Sequence, residues 1–161
     1  MIFGMTPFTL FHVILSLIGI ISGFIALGAW LNGRLRSGWT AVFLTTTIAT
    51  TLTGFLFPFN GLTPAIGFGV ISAVFLAVAV FALYRRHLAG RWRLAFLLSS
   101  AVALYLNTFV LVVQAFQKVG PLNALAPTGT EAPFAVAQGL LLLAFIIFGY
   151  RLTRRTTMML A

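Results

Sequence analysis

The run PFTLFHVILSLIGIISGFIALGAWL, residues 7–31, is followed at once by NGRLRSG, residues 32–38, and these two stretches together decide the fold. The first contains no Asp, Glu, Lys or Arg and exceeds the roughly 20 apolar residues that cross a bilayer as a helix. The second is a polar hinge that carries Arg34 and Arg36. The apolar run is continuous and does not alternate, so it reads as a helix and not a strand. In hydrocarbon a helix satisfies its backbone hydrogen bonds within its own segment.

The pattern recurs along the chain. Five spans are expected, approximately Pro7 to Leu31, Trp39 to Phe57, Ala65 to Tyr84, Leu94 to Phe116 and Phe134 to Tyr150. Composition agrees: the 161 residues are 61% hydrophobic and 7% charged, too few charges to cover a water-facing surface. The expected fold is all-α, a single polytopic transmembrane helical bundle over residues 1–161. Short hinges make successive helices antiparallel neighbours. Met1 to Leu10 carry no positive n-region, so the first run is expected to stay as a mature helix and not to be cleaved as a signal.

The basic residues orient the bundle. Arg34, Arg36, Arg85, Arg86, Arg91, Arg93, Arg151, Arg154 and Arg155 lie in alternate hinges and the tail, and Lys118 alone lies in the opposite loops. Cytoplasmic loops are enriched in Lys and Arg, so the expectation is an N-out, C-in protein of the bacterial inner (cytoplasmic) membrane. Trp30, Trp39, Tyr84, Trp92 and Tyr150 fall beside the same hinges, at the depth where amphipathic rings anchor at the headgroups. Arg85, Arg86, Arg91 and Arg93 form the densest basic patch and are read as contacts to anionic lipid headgroups or to a partner protein. Nucleic acid is not an expected partner, because the charges occupy turns and not a folded basic face.

Few residues can carry chemistry. The chain has no cysteine and one acid, Glu131. Thiolate sites, disulfides, carboxylate pairs and acidic metal clusters are therefore absent from the sequence, and no catalytic residue and no metal site is expected. On the first helix, His12, Ser16, Gly19, Gly23, Ala26 and Trp30 share one face, with Gly19 and Gly23 in a G-x-x-x-G spacing that allows a close helix contact. That contact is an intramolecular seam or, alternatively, a homodimer seam. The second helix holds Thr45, Thr46, Thr47, Thr50, Thr51 and Thr53, whose hydroxyls can bond back to the preceding turn.

In the fourth helix Ser100, Asn107 and Gln114 are spaced by seven. An amide in hydrocarbon needs a partner, so both amides are expected to face the bundle. By depth, His12, Thr53, Asn107, Gln114 and Gln138 form a candidate outer polar cluster. It is either a network that specifies helix register or a pocket for a lipid, quinone or other small amphipathic molecule. The loop 118–133 is long for a bundle connection and is expected to cap that end. Within it, Lys118 and Glu131 would pair with each other, or Glu131 with His12.

The stretch Phe11-His12 through Gly19, Gly23, Gly33-Arg34, Gly38-Trp39 and Thr53-Gly54, then Arg86-His87-Leu88-Ala89-Gly90-Arg91-Trp92, resembles a group of small bacterial multi-pass inner-membrane proteins. Tyr105-Leu106-Asn107, Gln114 to Lys118 and Leu125 to Thr128 extend the likeness. It implies a polytopic membrane protein and no particular activity. A remoter likeness is to b-type cytochrome bundles, which pair histidines on facing helices, whereas His12 and His87 fall at opposite ends here.

Three functions follow as expectations. The leading one is a non-enzymatic accessory or stabilising subunit of a larger membrane assembly, with other subunits, a second copy and anionic lipids as partners. The alternative is a carrier for a small apolar or amphipathic molecule. The weaker alternative is a redox protein holding haem or quinone through His12, although no cofactor motif is evident.

Overall fold

The computed structural model describes residues 6–35, 37–58 and 64–160. Arg36 and the expected outer turn at residues 59–63 lie outside the described residues, as do the side chains of residues 64–65 and 157–160. Six helices follow in order: α1 (Pro7–Leu31), α2 (Ser37–Gly54), α3 (Pro64–Val80), α4 (Arg91–Lys118), α5 (Gly120–Leu125) and α6 (Ala132–Leu160). A π-helical turn, Phe81–Arg85, prolongs α3. No strand occurs among the described residues.

Among the described residues four helical segments are long and apolar enough to cross a membrane: Pro7–Leu31, Ile66–Arg85, Arg91–Lys118 and Ala132–Thr156. These are the marks of a multi-pass membrane protein. Helix α2, the second expected span, is not among them. It is 18 residues long, and its threonines dilute its apolar residues.

The helix ends follow from local sequence. Thr6 caps α1 by accepting the Thr9 amide on its side chain at 3.2 Å, and Pro7 occupies the first turn, where no amide partner is needed. At the other end Gly33 takes a left-handed conformation, φ 73°. Its amide donates to the Trp30 carbonyl at 2.9 Å, and the Arg34 amide donates to that of Ala29 at 2.9 Å. This pair of bonds is a Schellman ending, for which glycine is the natural residue.

The end of α3 is more strained. In the π turn the Arg86 amide reaches back to the Phe81 carbonyl at 3.1 Å. His87 and Leu88 then both adopt positive φ, 49° and 57°, which costs roughly 1–2 kcal/mol for each non-glycine residue. Their neighbours offset that cost. Leu88 packs on the core, Phe81 meets Trp92 at 5.2 Å, and the Arg86 guanidinium lies 5.0 Å from the centre of the Trp92 ring.

Helix α4 is the axis of the bundle and contacts every other helix, while α1 and α2 form the most extensive pair. Ring and side-chain contacts show that α1, α2, α3, α4 and α6 run alternately up and down. Trp30 of α1 meets Thr40 of α2 and Phe96 of α4 at one end, and His12 meets Thr53 at the other. Phe68 of α3 meets Phe109 of α4, and Phe145 of α6 meets Tyr105. The arginine-bearing hinges consequently gather at one end.

Trp30 departs from the expectation of an interfacial anchor. It is 3% exposed, wedged edge-on between Phe43 and Phe96, with its indole N–H donating to Thr40 Oγ1 at 3.3 Å. The reason is its place on the glycine face of α1, which turns inward. Trp39, Tyr84 and Tyr150, by contrast, are exposed.

The interior tolerates no bulk at Gly23. A Cβ there would lie 2.6 Å from Leu104 Cδ1 and 2.8 Å from the ring of the fully buried Phe43. At Gly28 on the opposite face a Cβ meets nothing within 4 Å. Gly23→Val is therefore expected to destabilise the bundle by about 1–3 kcal/mol through overpacking. Gly28→Ala should be neutral or slightly stabilising. Thermal unfolding of both variants in one mild detergent checks the contrast.

Candidate functional site

The half of the interior away from the arginine-bearing hinges holds these polar side chains, but as separate pairs and not one cluster. Thr53 lies in the last turn of α2 and directs its hydroxyl hydrogen to the Ala49 carbonyl at 2.7 Å. The Nδ1–H of His12 therefore donates to Thr53 Oγ1, at 2.8 Å. That assignment leaves Nε2 as the acceptor nitrogen. The imidazole stands edge-on to Phe57 at 5.1 Å, and its Cε1 lies 3.6 Å from where a Cβ on Gly54 would project.

One turn deeper, Ser16 Oγ donates to Asn107 Oδ1 at 2.7 Å, and Asn107 Nδ2 returns a long 3.5 Å contact to the Ser16 carbonyl. The seven-residue spacing on α4 does point Asn107 inward, beside Gly19. A Cβ on Gly19 would meet Thr47 Oγ1 at 3.0 Å, Thr46 Oγ1 at 3.2 Å and Asn107 Nδ2 at 3.4 Å. Gly19 and Gly23 thus form the face on which α2 and α4 close over α1. This is an intramolecular seam.

Gln138 bonds elsewhere. Its Nε2 donates to the Phe109 carbonyl at 3.2 Å and ties α6 to α4. Gln114 lies on the exterior. It is near the end of α4, where water and headgroups can hydrate an amide, so the requirement for a protein partner lapses there.

Most threonine hydroxyls are satisfied locally. Those of Thr46, Thr50, Thr51 and Thr53 each donate to the carbonyl four residues back. Among the described residues three buried side-chain polar atoms have no partner: Thr47 Oγ1, Ser100 Oγ and Gln138 Oε1. Thr47 Oγ1 is pressed against Gly19, whose lack of a side chain leaves it a backbone neighbour in place of a hydrogen-bond donor.

The loop between α4 and α6 is ordered by its own residues. Asn123 Nδ2 donates to the Phe116 carbonyl at 3.2 Å, and Ala126 is buried while Leu125 is 57% exposed. Glu131 pairs with neither Lys118 nor His12. Its Oε1 accepts the Thr128 amide at 3.1 Å and the Thr128 hydroxyl at 2.9 Å, and its Oε2 accepts the Thr130 amide at 3.1 Å. These local donors, three residues away or fewer, reach the carboxylate without ordering a distant long side chain. No ion pair occurs among the described residues.

Loss of hydration raises the Glu131 pKa. The hydrogen bonds from Thr128 and Thr130 outweigh that effect and hold the carboxyl below its ordinary value.

The arginines are unevenly employed. Arg155 Nη1 donates to the Leu31 carbonyl at 2.7 Å, and Arg93 Nη2 makes a long 3.5 Å contact to the Gly33 carbonyl. Both place a cation at the negative end of the α1 dipole. Arg86 is stacked on Trp92. Of the expected headgroup patch, Arg85 and Arg91 are exposed with no protein partner among the described residues. The docking of Arg155 and Arg93 on α1 was not legible in the sequence, because it joins segments 124 and 60 residues apart.

Two surface grooves lie at the arginine-bearing end and neither at the outer polar pairs. One, about 340 Å³, is lined by Ile25, Gly28, Ala29, Asn32 and Arg34. The other, about 450 Å³, is lined by Ser37, Gly38, Trp39 and Val42. No group of three or more His, Cys, Asp or Glu residues that could hold a metal occurs among the described residues. No family model, curated protein or solved structure matches the chain.

Two outcomes follow. A double-mutant cycle of Ser16→Ala and Asn107→Leu, read by unfolding in detergent, should give a coupling of about 0.6–1.7 kcal/mol, the range of interhelical hydrogen bonds in membranes. For Glu131, whose folded pKa is depressed, the stabilisation is present above the ordinary carboxylate range and is lost as pH falls through the folded value. Amide chemical shifts of Thr128 and Thr130 should move together below pH 4.5. In Glu131→Gln they should be insensitive over the same range.

Proposed function

We propose that the chain is a non-enzymatic, five-span, N-out/C-in protein of the bacterial inner membrane that serves as an accessory or stabilising subunit of a larger membrane assembly. One observation carries this reading. The interior polar groups bond within their own helix or in helix-to-helix pairs such as Ser16–Asn107 and His12–Thr53, while the membrane-depth exteriors of α1, α3 and α6 are largely apolar.

The exposed residues include Ile14, Ile21, Val70, Val74, Leu143 and Ile146. Such a surface belongs in lipid or against another membrane protein. Helix α6 offers the freest face, with 11% of its apolar window buried against 50% for α4. The fifth span is α2. It lies antiparallel to α1 and is held to it by Trp30–Thr40 at one end and His12–Thr53 at the other. Its threonines enter hydrocarbon cheaply because their hydroxyls bond within the helix.

Orientation follows from the gathered arginines, which belong on the cytoplasmic side. Because the chain has no native cysteine, single substitutions report cleanly. Thr128→Cys should be labelled by an impermeant maleimide added outside intact cells, and Arg154→Cys only after lysis. Labelling of Arg154→Cys from outside would invert the topology.

Extraction from native membranes in a mild detergent, followed by native mass spectrometry, tests the subunit reading. Membrane proteins should co-purify in fixed stoichiometry, and Leu143→Ser with Ile146→Ser on α6 should release them. A bare chain carrying one small bound molecule would favour the carrier reading instead.

A further inference from the structure

The first helix presents a second stripe, opposite its glycine seam. Ile14, Ile18, Ile21, Ile25, Gly28 and Asn32 follow one another in steps of four and three and are all exposed, so they line one side of α1. The stripe changes character along its length. Four isoleucines give way to a glycine, then to an amide, and Arg34 follows just past the helix end. The groove of about 340 Å³ opens where the change occurs, between Ile25 and Arg34.

We infer that this end of α1 is a binding site for one anionic phospholipid, with an acyl chain along the isoleucines and the phosphate held by Arg34. The inference rests on the membrane-spanning reading given above.

The dimensions agree. From Ile14 to Ile25 the helix rises about 16 Å, at 1.5 Å per residue. That is close to the depth of one leaflet, about half of the roughly 30 Å hydrocarbon core. A chain lying on this stripe brings its glycerol to the level of Gly28, where no side chain blocks the groove.

Electrostatics also agree, although a helix C-terminus ordinarily repels an anion. Here the carbonyls of the last turns are occupied. Gly28 accepts from Asn32 Nδ2 at 2.8 Å, and Ala29 and Trp30 accept backbone amides. Leu31 accepts from Arg155, and Gly33 accepts the long contact from Arg93. Two further guanidinium groups therefore stand near the groove, both spent on carbonyls. Arg34 is exposed and has no protein partner among the described residues. A guanidinium at the end of an apolar stripe suits a phosphate attached to a chain better than a free anion, because the chain supplies the apolar contact.

The test uses the full chain purified in mild detergent and titrated with phosphatidylglycerol or phosphatidylcholine, with adducts counted by native mass spectrometry. The expected result is one retained phosphatidylglycerol, preferred over phosphatidylcholine and not displaced by millimolar inorganic phosphate. Arg34→Ala should weaken retention about tenfold, the scale of one charge-assisted hydrogen bond. Gly28→Leu should do the same by filling the groove, at a position where an added Cβ meets nothing within 4 Å. Lys118→Ala, equal in charge change and at the opposite end of α4 from the arginine-bearing hinges, should retain the lipid.

Equal loss in Lys118→Ala would overturn the site in favour of diffuse attraction. Displacement by inorganic phosphate would overturn the lipid as occupant, and wild-type retention in both Arg34→Ala and Gly28→Leu would overturn the location. Recovery of the chain outside the membrane fraction would defeat the membrane reading itself. Integral behaviour without selective retention defeats only this inference.

Discussion

The closeness with which α1 meets its neighbours at Gly19 and Gly23 governs the rest of the bundle. With hydrogen in place of a side chain at both positions, Thr46, Thr47, Phe43 and Leu104 approach the α1 backbone directly. Helices in hydrocarbon gain nothing from excluding water and associate through such packing and through hydrogen bonds. The same approach brings Ser16 within 2.7 Å of Asn107 and His12 within 2.8 Å of Thr53. Toward the other end it seats Trp30 between Phe43 and Phe96.

The interior is consequently divided along its axis. At the arginine-bearing end it is an aromatic and aliphatic core built on Trp30, Phe43, Phe96 and Leu104. Toward the outer end it is a series of short polar contacts, each joining two helices and each largely complete in itself. An amide or imidazole in such a setting fixes rotation and register, since sliding either helix would leave a buried polar group unpaired. The arginines complement this at the end of α1. Arg155 and Arg93 turn topological charges into caps for a helix whose own sequence places no basic residue in its last turn.

The outside of the bundle differs in kind from its interior. Inside, Ser16 is committed to Asn107 and His12 to Thr53, whereas the apolar faces of α1, α3 and α6 are open. The stripe from Ile14 to Asn32 adds a polarity along the helix that a purely lipid-facing surface does not require.

The sequence by itself determined the five long helices and their order, but not the short α5 inside the expected 118–133 loop nor the run of α6 past Tyr150 to Leu160. The span Pro7 to Leu31 coincides with α1 at both ends, because Thr6-Pro7 and Gly33 are local start and stop signals. Continuous apolar runs set the other helices, and the charge pattern placed the arginines together, because both properties depend on neighbours in the chain. Partnerships among polar side chains were only partly legible. That Asn107 turns inward followed from its spacing with Ser100, but its partner proved to be Ser16 and not a shared cluster with His12 and Gln114.

Glu131 spent its carboxylate within its own loop, and Trp30 turned inward from the depth at which tryptophans usually anchor. These outcomes depend on the rotation of each helix about its axis and on contacts between residues far apart in the chain. Hydropathy is blind to rotation, since a helix buried on any face has the same composition. The tertiary packing chose the face, and with it which polar atoms meet and which arginines remain free.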